Sequence, residues 1–450
     1  MPLPRNGFLT ALLVVISSFV APQARADAGE LMASAVTVDI TPEIGVPLAG
    51  YGGPGRRRLD VLDRHEYATY LNPSTGVIDP VLAKILVLRK DGKLLAFVAA
   101  DLIGGSAILH ADLAAHLASL GFGREGVFLS GTHTHSGPGA FARNWMFELI
   151  AADKYQERIY DWLLLKLLGG VRAAFASLRP ATLSAYGFEA RGLQLNRRMH
   201  PGHFDSRANI LLVRDGIGDV IGGIANLAIH GTALPDTNLM FSADAPGAMR
   251  AELERELAAL NSRYRFPAIL FINGAEGDVA PQAAGVDEMR ELGLSFAKQA
   301  IERLDDARPI EPRWKISQAM VKLGTPGFGL KACLNGKYPI LQALGQAVMG
   351  LASTVFPKQA EATLLELGDM LLMTWPGEPT TSIGLELRKL AADAGAAQSW
   401  VLGLTNDHLA YFVMPEEYEE GGYETCSSLY GPQGAVKLIE GYRGLMTRFE

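Results

Sequence analysis

The chain has 450 residues, 48% hydrophobic, 20% charged and 8% aromatic, which supplies ample core and excludes a disordered or low-complexity protein. Its net charge is −7, and basic residues are dispersed apart from Arg56, Arg57 and Arg58, so no footprint for nucleic acid is visible. That arginine triplet reads as a solvated loop.

The first element is a leader. Arg5 precedes an apolar run from Phe8 to Ala21, and Ala24-Arg25-Ala26 is a small-x-small cleavage signal. The pattern predicts a secretory signal peptide over residues 1–26, a mature domain over 27–450 and a secreted or periplasmic destination. A membrane anchor is the competing reading, but the run is shorter than the roughly 20 residues a spanning helix needs. No cysteine near the cut offers a lipid attachment point, and no later segment is long and apolar enough to span a bilayer.

Beyond the leader, Val-, Ile- and Leu-rich runs predict strands at Val81 to Leu88, Leu94 to Ala99, Val127 to Ser130, Ala208 to Val213, Ile221 to Ile229 and Pro267 to Ile272. Helices are predicted at Ile108 to Leu120, Tyr155 to Leu178, Ala245 to Leu260, Asp287 to Arg303 and Thr381 to Ala392. The alternation argues an α/β fold: one large catalytic domain with a buried mixed sheet flanked by helices. No linker or internal repeat stands out. Phe328 to Phe356 carries only Lys331 and Lys337 as charges, and reads either as a buried helix pair or as an apolar flap that meets an acyl chain or lipid surface. Cys333 and Cys426 can pair in an oxidising compartment if their Cα atoms come close enough, which spacing leaves open.

Four places join acidic or imidazole side chains to the Gly/Pro punctuation that follows strand ends. In SGTHTHSGPG, side chains two apart in an extended chain share a side, so His133 and His135 can aim two imidazoles at one spot. In NLAIHGTALPD, His230 ends an apolar strand; taken alone it reads equally as a core histidine satisfied by backbone. In FINGAEGDVAPQ, Asn273, Glu276 and Asp278 either contact a ligand, orient a metal-bound imidazole from behind, or simply hold the turn. Glu378, in Pro-Gly-Glu-Pro before a helix, is a ligand, a base or a helix-start charge. Together they supply two or three imidazoles and one carboxylate, the open pattern of catalytic zinc sites.

The stretches ASAVTVDITPEIGVPLAGYG, SGTHTHSGPG, LQLNRR, AIHGTALP followed by FSADAPG, NGAEGDVAP, WPGEPT and NDHLAYFVMPEEYEEGGYETCSSLYGP resemble, in order, the neutral/alkaline non-lysosomal ceramidase family. The resemblance implies a zinc-dependent amidohydrolase that splits the N-acyl bond of ceramide, or of a related N-acyl lipid, into a sphingoid base and a fatty acid. It implies a Zn2+ cofactor held by His133, His230, Glu378 and Tyr411. It also implies His135 as the adjacent active-site histidine, Tyr423 as the oxyanion donor and Arg197 as the arginine that lines the pocket and binds the polar head. Its partners would be a lipid-like N-acyl amide and, transiently, a membrane surface, with no nucleic acid and no protein partner.

Three departures accompany the resemblance. Ala280 stands in GDVAPQ where the family commonly has serine. The family's C-terminal immunoglobulin-like domain is not expected here. MHPGHFD replaces the asparagine-proline segment after LQLNRR, and its His200, His203 and Asp205 read as a polar loop rather than a metal cluster. Two alternatives stay in view: a zinc hydrolase of a smaller amide or ester, and a non-catalytic metal- or lipid-binding protein of the same fold.

Overall fold

The computed structural model describes residues 29–60, 64–198, 202–263, 265–327 and 355–446. The predicted leader and residues 328–354 of the apolar stretch lie outside the described residues, as does Cys333. Cys426 is disulfide-bonded. Among the described residues, no helix is long and apolar enough to cross a membrane.

The first six main elements are β1 (Met32–Asp39), β2 (Leu82–Lys90), β3 (Lys93–Ala100), α1 (Ala107–Leu117), β4 (Val127–Gly131) and α2 (Glu157–Ala176). Strand β1 pairs antiparallel with β2, β2 antiparallel with β3, and β3 parallel with β4 across the α1 crossover. The same plan then recurs in β5 (Arg179–Glu189), β6 (Arg207–Asp215), β7 (Val220–Leu227), α3 (Asp244–Leu260), β8 (Ala268–Asn273) and α4 (Val286–Glu302). After the short β9 (Arg308–Ile310), which pairs with β5, it recurs once more. The third copy comprises β10 (Trp314–Lys322), β11 (Gln359–Leu367), β12 (Met370–Thr374), α5 (Thr381–Asp393), β13 (Gln398–Leu402) and α6 (Gly431–Met446).

The chain is therefore built from three β-β-β-α-β-α units, where no internal repeat was expected from sequence. A repeat of this kind rests on strand order, and buried strands require only apolar character, so the units share pattern rather than identity. The mixed sheet and flanking helices are as expected. Predicted elements fall within a few residues of those observed, and β1, β5, β10, β11, β13 and α6 were not anticipated.

A short pairing of Met32 and Ala33 with Pro180 and Arg179 joins the first two sheets edge to edge. The units also close on one another at the ends of their strands. The loop after β4 meets the loop after β7, with His135 N–H donating to the Gly231 carbonyl at 3.0 Å. The loop after β8 meets that after β12, with Gly277 N–H donating to Pro379 at 2.8 Å. The loop after β13 returns to that after β3, with Gly105 N–H donating to Leu404 at 3.0 Å.

Each unit has its own apolar layer between sheet and helices, and the inner faces of all three sheets share a fourth core. Phe97 and Phe128 come to it from the first unit, Leu211 and Leu270 from the second, Leu365 and Trp400 from the third. Sheets covered on both faces explain why β4, β7 and β8 are buried along their whole length.

Between the first two units, Asp101 receives a two-pronged ion pair from Arg250 of α3, at 2.8 and 2.7 Å, and both side chains are buried. The same carboxylate accepts from Leu82 N–H and from the Thr132 hydroxyl, one residue before His133. Breaking such a pair strands a buried guanidinium, which costs about 3–5 kcal/mol. Asp101→Ala should lose that much unfolding free energy in urea titration; a loss below about 1 kcal/mol would show that the pair does not tie the units together.

Candidate active site

The three unit closures encircle one buried spot. His133 and His135 follow β4, His230 follows β7, Glu378 follows β12 and Tyr411 follows β13. The last two lie on adjacent two-residue strands, Glu378–Pro379 and Tyr411–Phe412, paired in parallel. All five side chains are at most 9% exposed.

His133 is not extended backbone: its φ is 69°, in the left-handed region. The two rings still meet, edge to face, with their Nε2 atoms 3.4 Å apart, because the backbone between them is fixed by Gly231 rather than by strand geometry. Gly50 makes room for the second ring. Its φ is +112°, and a Cβ there would lie 2.6 Å from His135 Cγ.

The expected solvated arginine triplet is corrected here. Arg56 is fully buried and donates to the carbonyls of His135 and Asp236, and Arg57 donates to Gly52 and Ile150. Backbone carbonyls take most of the Arg56 donors inside the protein and hold Arg57 against its surface, so the local charge density did not mean a free solvated loop.

The protons on the rings follow from their partners. His133 Nδ1 lies 2.6 Å from the Ile103 carbonyl and His230 Nδ1 3.1 Å from that of Val279. A carbonyl only accepts, so each Nδ1 carries the proton and each Nε2 turns a lone pair inward. Glu378 Oε2 lies 3.1 Å from His133 Nε2 and 3.3 Å from His230 Nε2, and the Tyr411 hydroxyl is 3.2 Å from His230 Nε2. Bonds of 2.0–2.1 Å to a tetrahedral zinc space the ligand atoms roughly 3.3–3.4 Å apart. These separations and this mixed N/O donor set would fit one ion among His133, His230, Glu378 and Tyr411.

Electrostatics agree with ligation. Burial, reinforced by Arg197, pushes His230 down to about 3, and burial with the neighbouring imidazoles holds His135 well below its ordinary value. Both are neutral ligands or bases at neutral pH. Burial alone would raise Glu378, but positive charge on His133 and protons on the facing nitrogens of His133, His230 and His408 hold its carboxyl well below the usual range, the place that a cation takes when those Nε2 atoms carry lone pairs instead. Burial and then Glu378 push the Tyr411 phenol well up, a shift that a cation in the ring would reverse.

Arg197 does not point freely into the cavity. It donates to the Tyr411 hydroxyl at 3.0 Å, to the Gly277 carbonyl and to Glu424. Tyr423 stands at the mouth, 62% exposed, with its ring centroid 5.4 Å from that of Tyr411. Asn273 bridges Ile229, Gly274 and Thr132 backbone, and Asp278 accepts from Asn196 and Thr381, so both hold turns together. Glu276 is different: it is fully buried and neither oxygen has a partner.

His408 is the site residue that the sequence reading missed. Its Nε2 lies 2.9 Å from Glu378 Oε1 and holds the oxygen that faces away from the other imidazoles. The signal was present in NDHLAY, three residues before Tyr411, but no glycine or proline marks it. His203 and Asp205, from the polar loop, contact Ser382 and Arg388 and form no metal cluster among the described residues.

The cavity above the ring has a volume of about 160 Å³ and apolar walls that include Met146, Phe147, Ile150, Phe356 and Leu429. A second cavity of about 380 Å³ shares Ile103, Phe147, Phe356 and His408 with it. Val355 and Phe356, the described end of the apolar stretch, line the latter.

Fold and site thus define a mixed α/β protein with a buried His/Glu centre able to hold a metal ion. The chain belongs to the neutral/alkaline non-lysosomal ceramidase family, whose N-terminal model matches residues 64–294 and 291–440. It is 24% identical over 401 residues to the neutral ceramidase of Mycobacterium tuberculosis, covering 71% of this chain and 62% of that one. It is 25% identical over 449 residues to the neutral ceramidase of Pseudomonas aeruginosa, covering 81% of this chain and 66% of that one. The chain therefore spans slightly less than two thirds of either relative. The crystal structure of the Pseudomonas aeruginosa neutral ceramidase superposes with a TM-score of 0.75 at 21% identity, over 94% of this chain and 75% of that one.

His230 gives the site a pH signature. An unfolded imidazole takes a proton near 6.5, whereas folded His230 takes one only at about 3, so the unfolded state binds more protons between those values. Its contribution to stability is complete above about pH 6.5 and declines as pH falls toward 3. Urea titration of metal-free protein should trace that decline, with a shallower slope in His230→Asn. Parallel profiles for the two proteins would place the acid sensitivity elsewhere.

Proposed function

We propose that the protein is a zinc-dependent amidase that hydrolyses the N-acyl bond of ceramide, or of a related N-acyl lipid, to a sphingoid base and a fatty acid. The observation that carries this reading is the set of inward lone pairs from His133, His230, Glu378 and Tyr411, spaced for one ion beneath an apolar cavity. The substrate class is supported by the family and by the neutral ceramidases that the chain resembles.

Zinc bound there supplies Lewis-acid polarisation of the scissile carbonyl and activation of water. The chain's own residues do the rest. His135, neutral and with its Nε2 turned toward the centre, accepts a proton from the attacking water and returns it to the leaving amine. Tyr423 at the mouth donates to the developing oxyanion. Arg197, donating to the Tyr411 oxygen, favours the phenolate form that ligates a cation. Ala280 lies in the short strand Val279–Pro281 and does not line the cavity, so this route needs no serine there.

Apolar walls suit the acyl chain, and the rim suits a lipid surface. Trp145, Leu149 and Ile150, on the short helix Trp145–Phe147 and the turn that follows, are 39%, 48% and 47% exposed. The leader pattern over residues 1–26 supports a secreted or periplasmic location.

Hydrolysis of a fluorescent ceramide by purified protein should be abolished by chelation and restored by zinc, and His133→Ala or Glu378→Ala should not turn over. Unchanged rates in either variant would refute the site, and a preference for short-chain amides or esters over ceramide would shift the substrate to the smaller class. Tyr423→Phe should lower kcat by about 10²–10³ with KM nearly constant; a rise in KM alone would make Tyr423 a binding residue.

A further inference from the structure

The repeat bears on Glu276. Residues 128–138, FLSGTHTHSGP, and 271–281, FINGAEGDVAP, follow equivalent strands in the first two units and align without a gap. The alignment puts Glu276 where the first unit has His133. The second unit thus offers the centre a carboxylate from the position at which the first offers an imidazole.

The surroundings of Glu276 match a ligand rather than a turn residue. Its side chain is fully buried with no hydrogen-bond partner on either oxygen, a costly state that a cation beside it would relieve. One of its oxygens, His133 Nε2 or Nδ1 and a Glu378 oxygen all lie within 4.8 Å of one another. Two ligands on opposite sides of an ion with bonds of about 2.1 Å stand about 4.2 Å apart, a span inside that limit. Gly403 leaves the space for the side chain: a Cβ there would fall 2.7 Å from Glu276 Oε2.

We infer that Glu276 is a direct protein ligand of the metal, giving the centre a second carboxylate beside Glu378. The inference rests on the reading that a metal occupies the His133, His230, Glu378 and Tyr411 site. With it, the chain would offer the ion two imidazole nitrogens and three oxygens, with two carboxylates to offset its charge.

Zinc affinity by chelator competition and the visible absorption of the cobalt(II) form test this on the full chain, using Glu276→Gln and the near-isosteric Glu276→Leu. Both variants remove a buried, unpartnered carboxyl, so their metal-free forms should melt no lower than the wild type. The expected result is a loss of zinc affinity beyond the roughly 10–100-fold that follows loss of a partner standing behind the ligands. The cobalt bands should also move toward the stronger absorption of a lower coordination number. Cobalt spectra that superimpose on the wild type in either folded variant would overturn the inference, whatever the affinity does. A wild-type protein that takes up no zinc would instead sink the metal reading itself.

Discussion

Everything at the centre of this protein follows from taking a carboxylate out of water. Glu378 is 4% exposed, and burial alone would drive it to its neutral form. Imidazoles from three loops surround it instead: His133 and His230 near one oxygen, His408 on the other. Because both carbonyl-bound Nδ1 atoms keep their protons, lone pairs on nitrogen face lone pairs on oxygen across little more than 3 Å. An arrangement of acceptors facing acceptors is unfavourable until a cation sits among them, and the fold has to hold it open.

The three units do that holding. Each strand end that reaches the centre is pinned by the loop of the next unit, so a ligand's position is set by a neighbour rather than by its own strand. Buried polar ties extend the same logic outward. Asp101 couples the backbone at Leu82, the Thr132 hydroxyl and Arg250, while Arg56 grips the carbonyl of His135. The left-handed backbone at His133 persists because these contacts over-determine it.

Much of this was legible in the sequence, and the remainder was hidden for physical reasons. Periodicity and punctuation located the strands that end in His133, His230 and Glu276, since strand-to-turn transitions need Gly, Pro, Asn or Asp. Tyr411 and Arg197 carry no such local mark and came from the family resemblance. The repeat was not legible because apolar strands tolerate nearly any apolar order. Arg56 looked solvated because the carbonyls it reaches belong to residues about 80 and 180 positions away. His408 and the isolation of Glu276 depend on which loop faces which, and that is a property of the closed ring rather than of any segment.

The ring also sets an order of events. Its last joint is made by Leu404, which reaches back to Gly105 and Gly131. Until the third unit has folded, the earlier units bring only their imidazoles to the centre, and neither Glu378 nor the phenol of Tyr411 is in place. A nascent or truncated chain therefore holds no more than a weak, partial grip on metal. An ion would be captured only by the finished architecture, and strong occupancy would report that all three units have come together.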